Sequence, residues 1–190
     1  MTQIDGIKLL DCVHPHFFEK ENIKNLPEEW ICEELVIPLN EFVGDAYNKS
    51  FEKNITFGYY EGDMQILKES VGKVLEGWIE FYTGEYRTYC GYIDGKIASF
   101  CMVEDMGVHT IDDKKIKLGG PGCVGTLPEY RNLGIGLTMV SKVTQILKEE
   151  GYDYSYIHFT EVPQWYKKLG YKTSLRWNRN GALENFNILK

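Results

Sequence analysis

A chain of 190 residues, 43% apolar and 26% charged, has the length and balance of one globular domain with a core of its own. Its formal net charge of -7 argues against a nucleic-acid partner, since phosphate binding needs clustered Lys and Arg. No apolar run is long enough to span a membrane, and MTQIDGIKLLDC lacks the basic and apolar blocks of a signal peptide, so a cytoplasmic protein with no membrane partner is expected.

In chain order, Ile7 to Val13 reads as a first strand, and the next segment, to about Asn25, shows no clear period. Pro38 suits the first position of a helix whose face would carry Leu39, Phe42, Val43, Ala46 and Tyr47. A second helix is expected from about Asp63, with Leu67, Val71, Val74, Leu75, Trp78 and Tyr82 on one stripe. Strands at Tyr86–Ile93 and Lys96–Val103 flank Asp94-Gly95, a two-residue hairpin signal. A glycine-interrupted strand runs from about Ile116 to Thr126. After Gly134 the helical period returns in Met139, Val140, Val143, Ile146 and Leu147, and Gly151 ends it. Tyr154–Thr160 is a strand, Pro163–Leu169 a short helix, and Tyr171–Trp177 and Leu183–Leu189 flank the turn Asn180-Gly181. The crossover from Ile116 to Thr160 should make its two strands parallel within an otherwise antiparallel sheet. The five cysteines, Cys12, Cys32, Cys90, Cys101 and Cys123, form no C-x-x-C pair; reduced thiols are expected, and no metal.

Two glycine motifs stand close together. Gly120-Pro-Gly122-Cys-Val-Gly125 fits G-x-G-x-x-G, but a dinucleotide site needs a helix to start within it. Pro128 biases Leu127 toward an extended backbone, so these glycines read as a strand that something approaches closely. Arg131-Asn-Leu-Gly134-Ile-Gly136 opens a helix instead. There the unpaired N–H groups and the helix dipole suit a phosphate, and Arg131 could add a charge-assisted contact.

The run Val124-Gly-Thr-Leu-Pro-Glu-Tyr-Arg131-Asn-Leu-Gly134-Ile-Gly136, followed by Trp165-Tyr166-Lys-Lys-Leu169-Gly170-Tyr171, resembles the paired signatures of the GCN5-related N-acetyltransferases, the GNAT superfamily. The resemblance covers about Tyr86 to Tyr171; residues 14 to 60 match no pattern of the family. It implies an α/β (α+β) fold: a mixed, mostly antiparallel sheet with one parallel, splayed strand pair and helices on both faces. Residues 1–190 would form one acyltransferase domain, with acceptor-side helices about 14–82 and an acetyl-CoA-binding core about 86–171.

The resemblance also implies roles. Backbone of Val124, Gly125 and Thr126 would pair with the pantetheine arm of acetyl-CoA. Arg131 and the N–H groups of Asn132, Leu133, Gly134, Ile135, Gly136 and Leu137 would hold the pyrophosphate. Tyr166 would be the general acid toward the leaving CoA thiolate. The acceptor would be a small-molecule or peptide amine, and a homodimer through the last hairpin follows from family analogy alone. For the base that takes the amine proton, Glu104, Asp105, His158 and Glu161 are the candidates, while Glu129 reads as a surface residue. Trp30, Phe42, Tyr47, Phe51, Phe57, Tyr59 and Tyr60 give the acceptor side an aromatic character. Two other readings stay open at this point: a non-catalytic acyl-CoA-binding module, and a nicotinamide-dependent oxidoreductase built on Gly120–Gly125.

Overall fold

The computed structural model describes residues 4–47, 49–51 and 54–188, and it turns the expected first strand into a helix, α1 (Gly6–Val13). Asp5 caps α1 by accepting from the Lys8 N–H, and Gly6, Leu9 and Leu10 form a buried stripe at helical spacing. A one-turn helix, α2 (Glu21–Lys24), leads to a strand the sequence reading missed, β1 (Cys32–Pro38). Pro38 therefore ends a strand and starts no helix; beyond it the chain turns, and Gly44–Tyr47 is a single 3-10 turn. The false helical period came from Leu39 and Phe42, which are buried from a loop.

After β2 (Ile55–Tyr59), also unforeseen, comes α3 (Met64–Gly72), capped by Asp63. The long second helix is broken after Gly72, and a 3-10 turn covers Glu76–Phe81. Leu67, Val71 and Tyr82 nevertheless share one core cluster with Phe100 and Met102, as their common stripe required. The hairpin of β3 (Arg87–Ile93) and β4 (Lys96–Ile111) turns at Asp94 and Gly95, whose φ of 48° and 76° suit a tight turn of the mirror-image type. β4 runs on past Val103 to a second such turn, Asp112-Asp113, which feeds β5 (Lys114–Thr126). Then follow α4 (Ile135–Glu149), β6 (Tyr154–Thr160), α5 (Pro163–Lys167), β7 (Lys172–Asn178) and β8 (Gly181–Asn185). The last strand begins earlier than expected, and Leu189, its expected end, lies outside the described residues.

The eight strands form one sheet in the order β2-β3-β4-β5-β6-β1-β7-β8. All neighbours are antiparallel except β5 and β6. Alternation along the strands sorts side chains to two faces. Leu35, Ile37, Cys101, Val103 and Ile157 meet the buried stripe of α4: Met139, Val140, Val143 and Leu147. On the other face, Val36 and Tyr156 pack with Leu9 of α1, while Phe100 and Met102 pack with Leu67 and Val71 of α3. The fold is thus a mixed, mostly antiparallel sheet with one parallel pair and helices on both faces. β1, inserted between β6 and β7, carries Leu35, Val36 and Ile37 as a continuous apolar run because both faces of a central strand are covered.

Candidate active site

The site begins where the parallel pair comes apart. Among the described residues β5 and β6 pair only at Leu118–Tyr154 and Gly119–Ser155. Beyond them each strand bends at a non-glycine residue in the left-handed region, Cys123 (φ 43°) on β5 and Phe159 (φ 53°) on β6. The Cys123 bend coincides with a register shift against β4 between Phe100 and Met102, and Tyr82 Oη donates to the Cys123 carbonyl at 2.9 Å. Gly125 and Thr126 still pair with Phe100 and Ser99 of β4, so their stretch of β5 turns its other edge toward the gap.

The glycines of β5 answer to close approach. A Cβ at Gly120 would overlap the Tyr156 carbonyl, one at Gly122 the Glu104 carboxylate, and one at Gly125 the Phe100 ring. Leu127 is extended (φ -56°, ψ 139°), and only a 3-10 turn, Pro128–Tyr130, follows it. No helix starts inside Gly120–Gly125, which removes the structural condition for a dinucleotide fingerprint.

The helix N-terminus lies one turn of chain further on. Asn132 (φ 63°) and Gly134 (φ 86°) swing the backbone so that α4 starts at Ile135. A Cβ at Gly136 would lie 2.5 Å from Thr126 Oγ1 and 3.4 Å from Trp165 Cζ2, so this helix turn sits directly against the end of β5. Ile135 and Leu137 bury their side chains, which leaves only their backbone for a ligand. The Thr138 hydroxyl, in the first turn, is buried with no hydrogen-bond partner among the described residues. Arg131 folds back so that its Nε donates to the Thr126 carbonyl at 3.2 Å. A second cation, Lys49, arrives from the loop between β1 and β2 and donates from Nζ to the Leu133 carbonyl at 3.0 Å. Lys49 escaped the sequence reading because it lies in the stretch without any family pattern.

Tyr166 on α5 is buried, with its ring set edge-on against Trp165 (4.7 Å between centroids) and inclined to Tyr171 (6.2 Å). Burial pushes its phenol above the usual tyrosine range, with Cys101 and Tyr171 adding to the shift. No hydrogen bond within the described residues engages its hydroxyl. Tyr171, in contrast, joins Thr144 of α4 at 2.8 Å and Ser155 of β6 at 2.7 Å, which ties helix to sheet behind the gap.

The four candidate bases separate clearly. Asp105 is exposed and accepts from the Gly107 N–H at 2.9 Å, within an irregularity of β4 where the register against β5 shifts. Glu161 is exposed in the bend after β6, and Glu129 is exposed on the 3-10 turn Pro128–Tyr130. Glu104, on β4, stands over Gly122; burial raises its pKa, and the charge of His158 partly opposes the rise. His158 Nδ1 lies 2.9 Å from Oε2 of Glu34, a fully buried carboxylate that the sequence reading did not single out. His14 stacks on His158 with 3.9 Å between ring centroids.

The expected aromatic acceptor face assembles only in part. Phe42, Tyr47 and Phe57 pack on the α4 side of the sheet, Phe51 lies against Phe57 with 6.1 Å between ring centroids, and Trp30 is exposed. Tyr59 pairs edge-on with Tyr89 and receives Arg87, while the Tyr60 hydroxyl donates to the Asp63 carbonyl. Neighbours in sequence are thus partly divided in space, because the alternation of β2 points Phe57 and its flanking residues to opposite faces. No helix is long and apolar enough to cross a membrane, and no group of three or more His, Cys, Asp or Glu is arranged for a metal ion among the described residues.

The sequence matches the family model described as an acetyltransferase (GNAT) domain over residues 44–174. A curated relative from Chlorobaculum tepidum, named as an uncharacterized N-acetyltransferase, is 30% identical over 118 residues, covering 62% of this chain and 65% of the relative. The chain thus matches less than two thirds of that protein's length. Among solved structures, a GCN5-related glucosamine N-acetyltransferase region of a fungal multi-domain GH3 β-N-acetylglucosaminidase superposes with a TM-score of 0.65 at 21% identity, over 83% of this chain and 21% of that one. A GCN5-related N-acetyltransferase from Kribbella flavida gives 0.54 at 15% identity, over 78% and 56%. At these identities the two structures speak for the fold alone.

Proposed function

The chain belongs to the GCN5-related N-acetyltransferase superfamily, and from that premise we propose that it transfers an acetyl group from acetyl-CoA to a small-molecule or peptide amine by direct attack. The carrying observation is the splayed β5–β6 pair, whose gap is bordered by a glycine-opened helix N-terminus. The residues present suit acetyl-CoA. The free edge of Val124–Thr126 supplies backbone groups for the pantetheine amides, as an added strand would use them. The N–H groups from Asn132 to Leu137, with Gly134 and Gly136 clearing the approach, suit the pyrophosphate, and Arg131 and Lys49 bring positive charge to that loop. The orphaned Thr138 hydroxyl on the same turn fits a polar ligand there.

A strand N–H near Val124–Thr126 would stabilise the oxyanion formed on attack. Tyr166, a phenol protonated at neutral pH and held more firmly so by burial, would hand its proton to the leaving sulfur. Residues 1–190 would act as one acyltransferase domain. The test is a titration with acetyl-CoA and with NADH, followed by CoA release over a panel of amines. Binding of acetyl-CoA alone, with amine-dependent CoA release, is expected. Binding without release from any amine would leave a non-catalytic acyl-CoA module instead, and preference for NADH would overturn the acyl-CoA site.

Gly136 provides a sharper check on the cofactor site. Gly136 is the second residue of α4, and helical propensity there gives Gly136→Ala no reason to destabilise the fold. The new Cβ would meet Thr126 Oγ1 and push on the strand assigned to the pantetheine. A KM for acetyl-CoA raised about tenfold, equivalent to about 1.4 kcal/mol, with saturated kcat little changed, is the expected result in steady-state kinetics. An unchanged KM would remove Gly136 from the site.

A further inference from the structure

On the face of the sheet opposite α4 lies a feature that the acyl-CoA site does not use. β1 is irregular at Glu34: its register shifts between Glu33 and Leu35 against β6, and between Glu34 and Leu35 against β7. Such bulges re-aim side chains, and this one sends Glu34 into the sheet interior, where it is 0% exposed. Four donors surround the carboxylate. Tyr156 Oη and His158 Nδ1 reach Oε2 at 2.7 Å and 2.9 Å; Trp177 Nε1 and the Phe159 N–H reach Oε1 at 2.8 Å and 3.2 Å.

Burial by itself would raise the Glu34 pKa, but the His158 charge and these hydrogen bonds outweigh it and hold it below the usual carboxylate range. Glu34 is therefore an ionised, acceptor-only group. That fixes the imidazole: His158 carries its proton on Nδ1 and, when neutral, keeps the lone pair on Nε2. No hydrogen bond among the described residues engages Nε2, and the ring is 24% exposed. Continuing the β5–β6 register, His158 stands level with Gly122, in the part of the gap where the strands have separated. Glu104, across Gly122, lies within the reach of its charge. Gly122, with no side chain of its own, lets the Glu104 carboxyl group close over β5 on one side, and His158 stands on the other strand of the gap.

We propose that His158 is the general base of the acetyl transfer, with Nε2 facing the acceptor amine, and that Glu34 is the positioning residue that fixes its tautomer. The proposal rests on the acetyltransferase reading above. An alkyl ammonium has a pKa near ~10.4 and must lose a proton before it can attack. Nε2 takes that proton and passes it to solvent. The nitrogen lone pair then forms the C–N bond at the thioester carbonyl; Nε2 takes the second amine proton as the intermediate collapses. The C–S bond breaks, and the sulfur gains a proton from Tyr166, which recovers one through solvent. Acetyl amide, CoA thiol and one proton leave per turnover.

Glu34→Gln would place an amide N–H against donors already filling the site and can unfold the protein, so His158→Gln carries the kinetic test. At pH 7 its kcat should fall about 10²-fold or more with an amine that the wild type acetylates, while the Kd for acetyl-CoA stays within about twofold. The deficit should shrink as pH approaches the pKa of the acceptor, where the amine arrives already free. The ionisable neighbours of His158 in that profile are Glu34 on β1, Tyr156 on β6, Glu104 on β4 and His14 after α1, with Lys20 acting on His14. A second measurement needs no variant activity: ¹⁵N spectra of the wild-type ring, taken once it has become neutral, should show Nδ1–H with an unprotonated Nε2. A kcat kept within about threefold, a deficit that does not change with pH, or the opposite tautomer overturns the proposal and leaves the acetyltransferase reading intact. A wild type that acetylates no amine overturns both.

Discussion

Tyr166→Phe is expected to lower kcat about 10²-fold while changing the KM for acetyl-CoA less than about threefold. The ring stays clamped between Trp165 and Tyr171, and those edge-on contacts need no hydroxyl, so the variant should fold and bind as before. Only the proton is lost. Its value is bounded from both sides. General acids contribute about 10²–10⁴. A thiolate is already a fair leaving group, with a thiol pKa near ~8.5, and burial makes this phenol a weaker acid than free tyrosine. Both considerations favour the lower end. Because the shift is upward, Tyr166 should stay protonated throughout the neutral and mildly alkaline range, so the wild-type profile should show no loss of rate from this group up to about pH 9. Steady-state kinetics from pH 6 to 9 check both points. A variant that keeps kcat within about threefold would reduce Tyr166 to a packing residue.

What could be read from the sequence follows from the reach of its signals. The crossover β5–α4–β6 was legible because its cues are local: a 3.6-residue period in α4, glycines at both helix ends, and apolar strands on either side. The hairpin at Asp94-Gly95 was legible for the same reason. β1 was not, since a central strand buried on both faces has no alternation to show, and Pro38 then imitated a helix start. Glu34 was the costliest omission for the site. In CEELVIP it stands beside Glu33 as one more strand charge. The groups that make it a buried acceptor, Tyr156, His158 and Trp177, lie 122, 124 and 143 residues away. Lys49 meets Leu133 across a separation of 84. The only local hint at Glu34 was that it adjoins the apolar run Leu35-Val36-Ile37, where a buried carboxylate would need partners.

The same corner of the molecule should make the fold acid-sensitive above the range in which carboxylates titrate. His14 follows α1 and stacks on His158. Burial, followed by the charge of His158, lowers its pKa from 6.5 to about 4, with Glu34 opposing and Lys20 assisting. The folded protein therefore keeps His14 neutral where the unfolded chain protonates it, and stability falls as pH drops from 6.5 toward 4. At pH 5 the loss from this group, reduced by solvent screening of the partly exposed ring, amounts to about 1 kcal/mol. Glu34 does not contribute in that window. Its folded pKa is depressed, so its contribution persists above the ordinary carboxylate pKa and disappears only below it. Glu104 acts in the opposite sense, since a raised carboxyl pKa makes the fold take up a proton first and gain stability as pH falls. Urea denaturation at pH 7.5 and pH 5 should accordingly show the wild type losing stability at the lower pH. In His14→Phe, which keeps an aromatic ring against His158 and Phe17, that loss should shrink to within about 0.5 kcal/mol or reverse under the influence of Glu104. An equal loss in the variant would mean that His14 titrates alike in both states, and that burial against His158 and Phe17 is not what keeps it neutral.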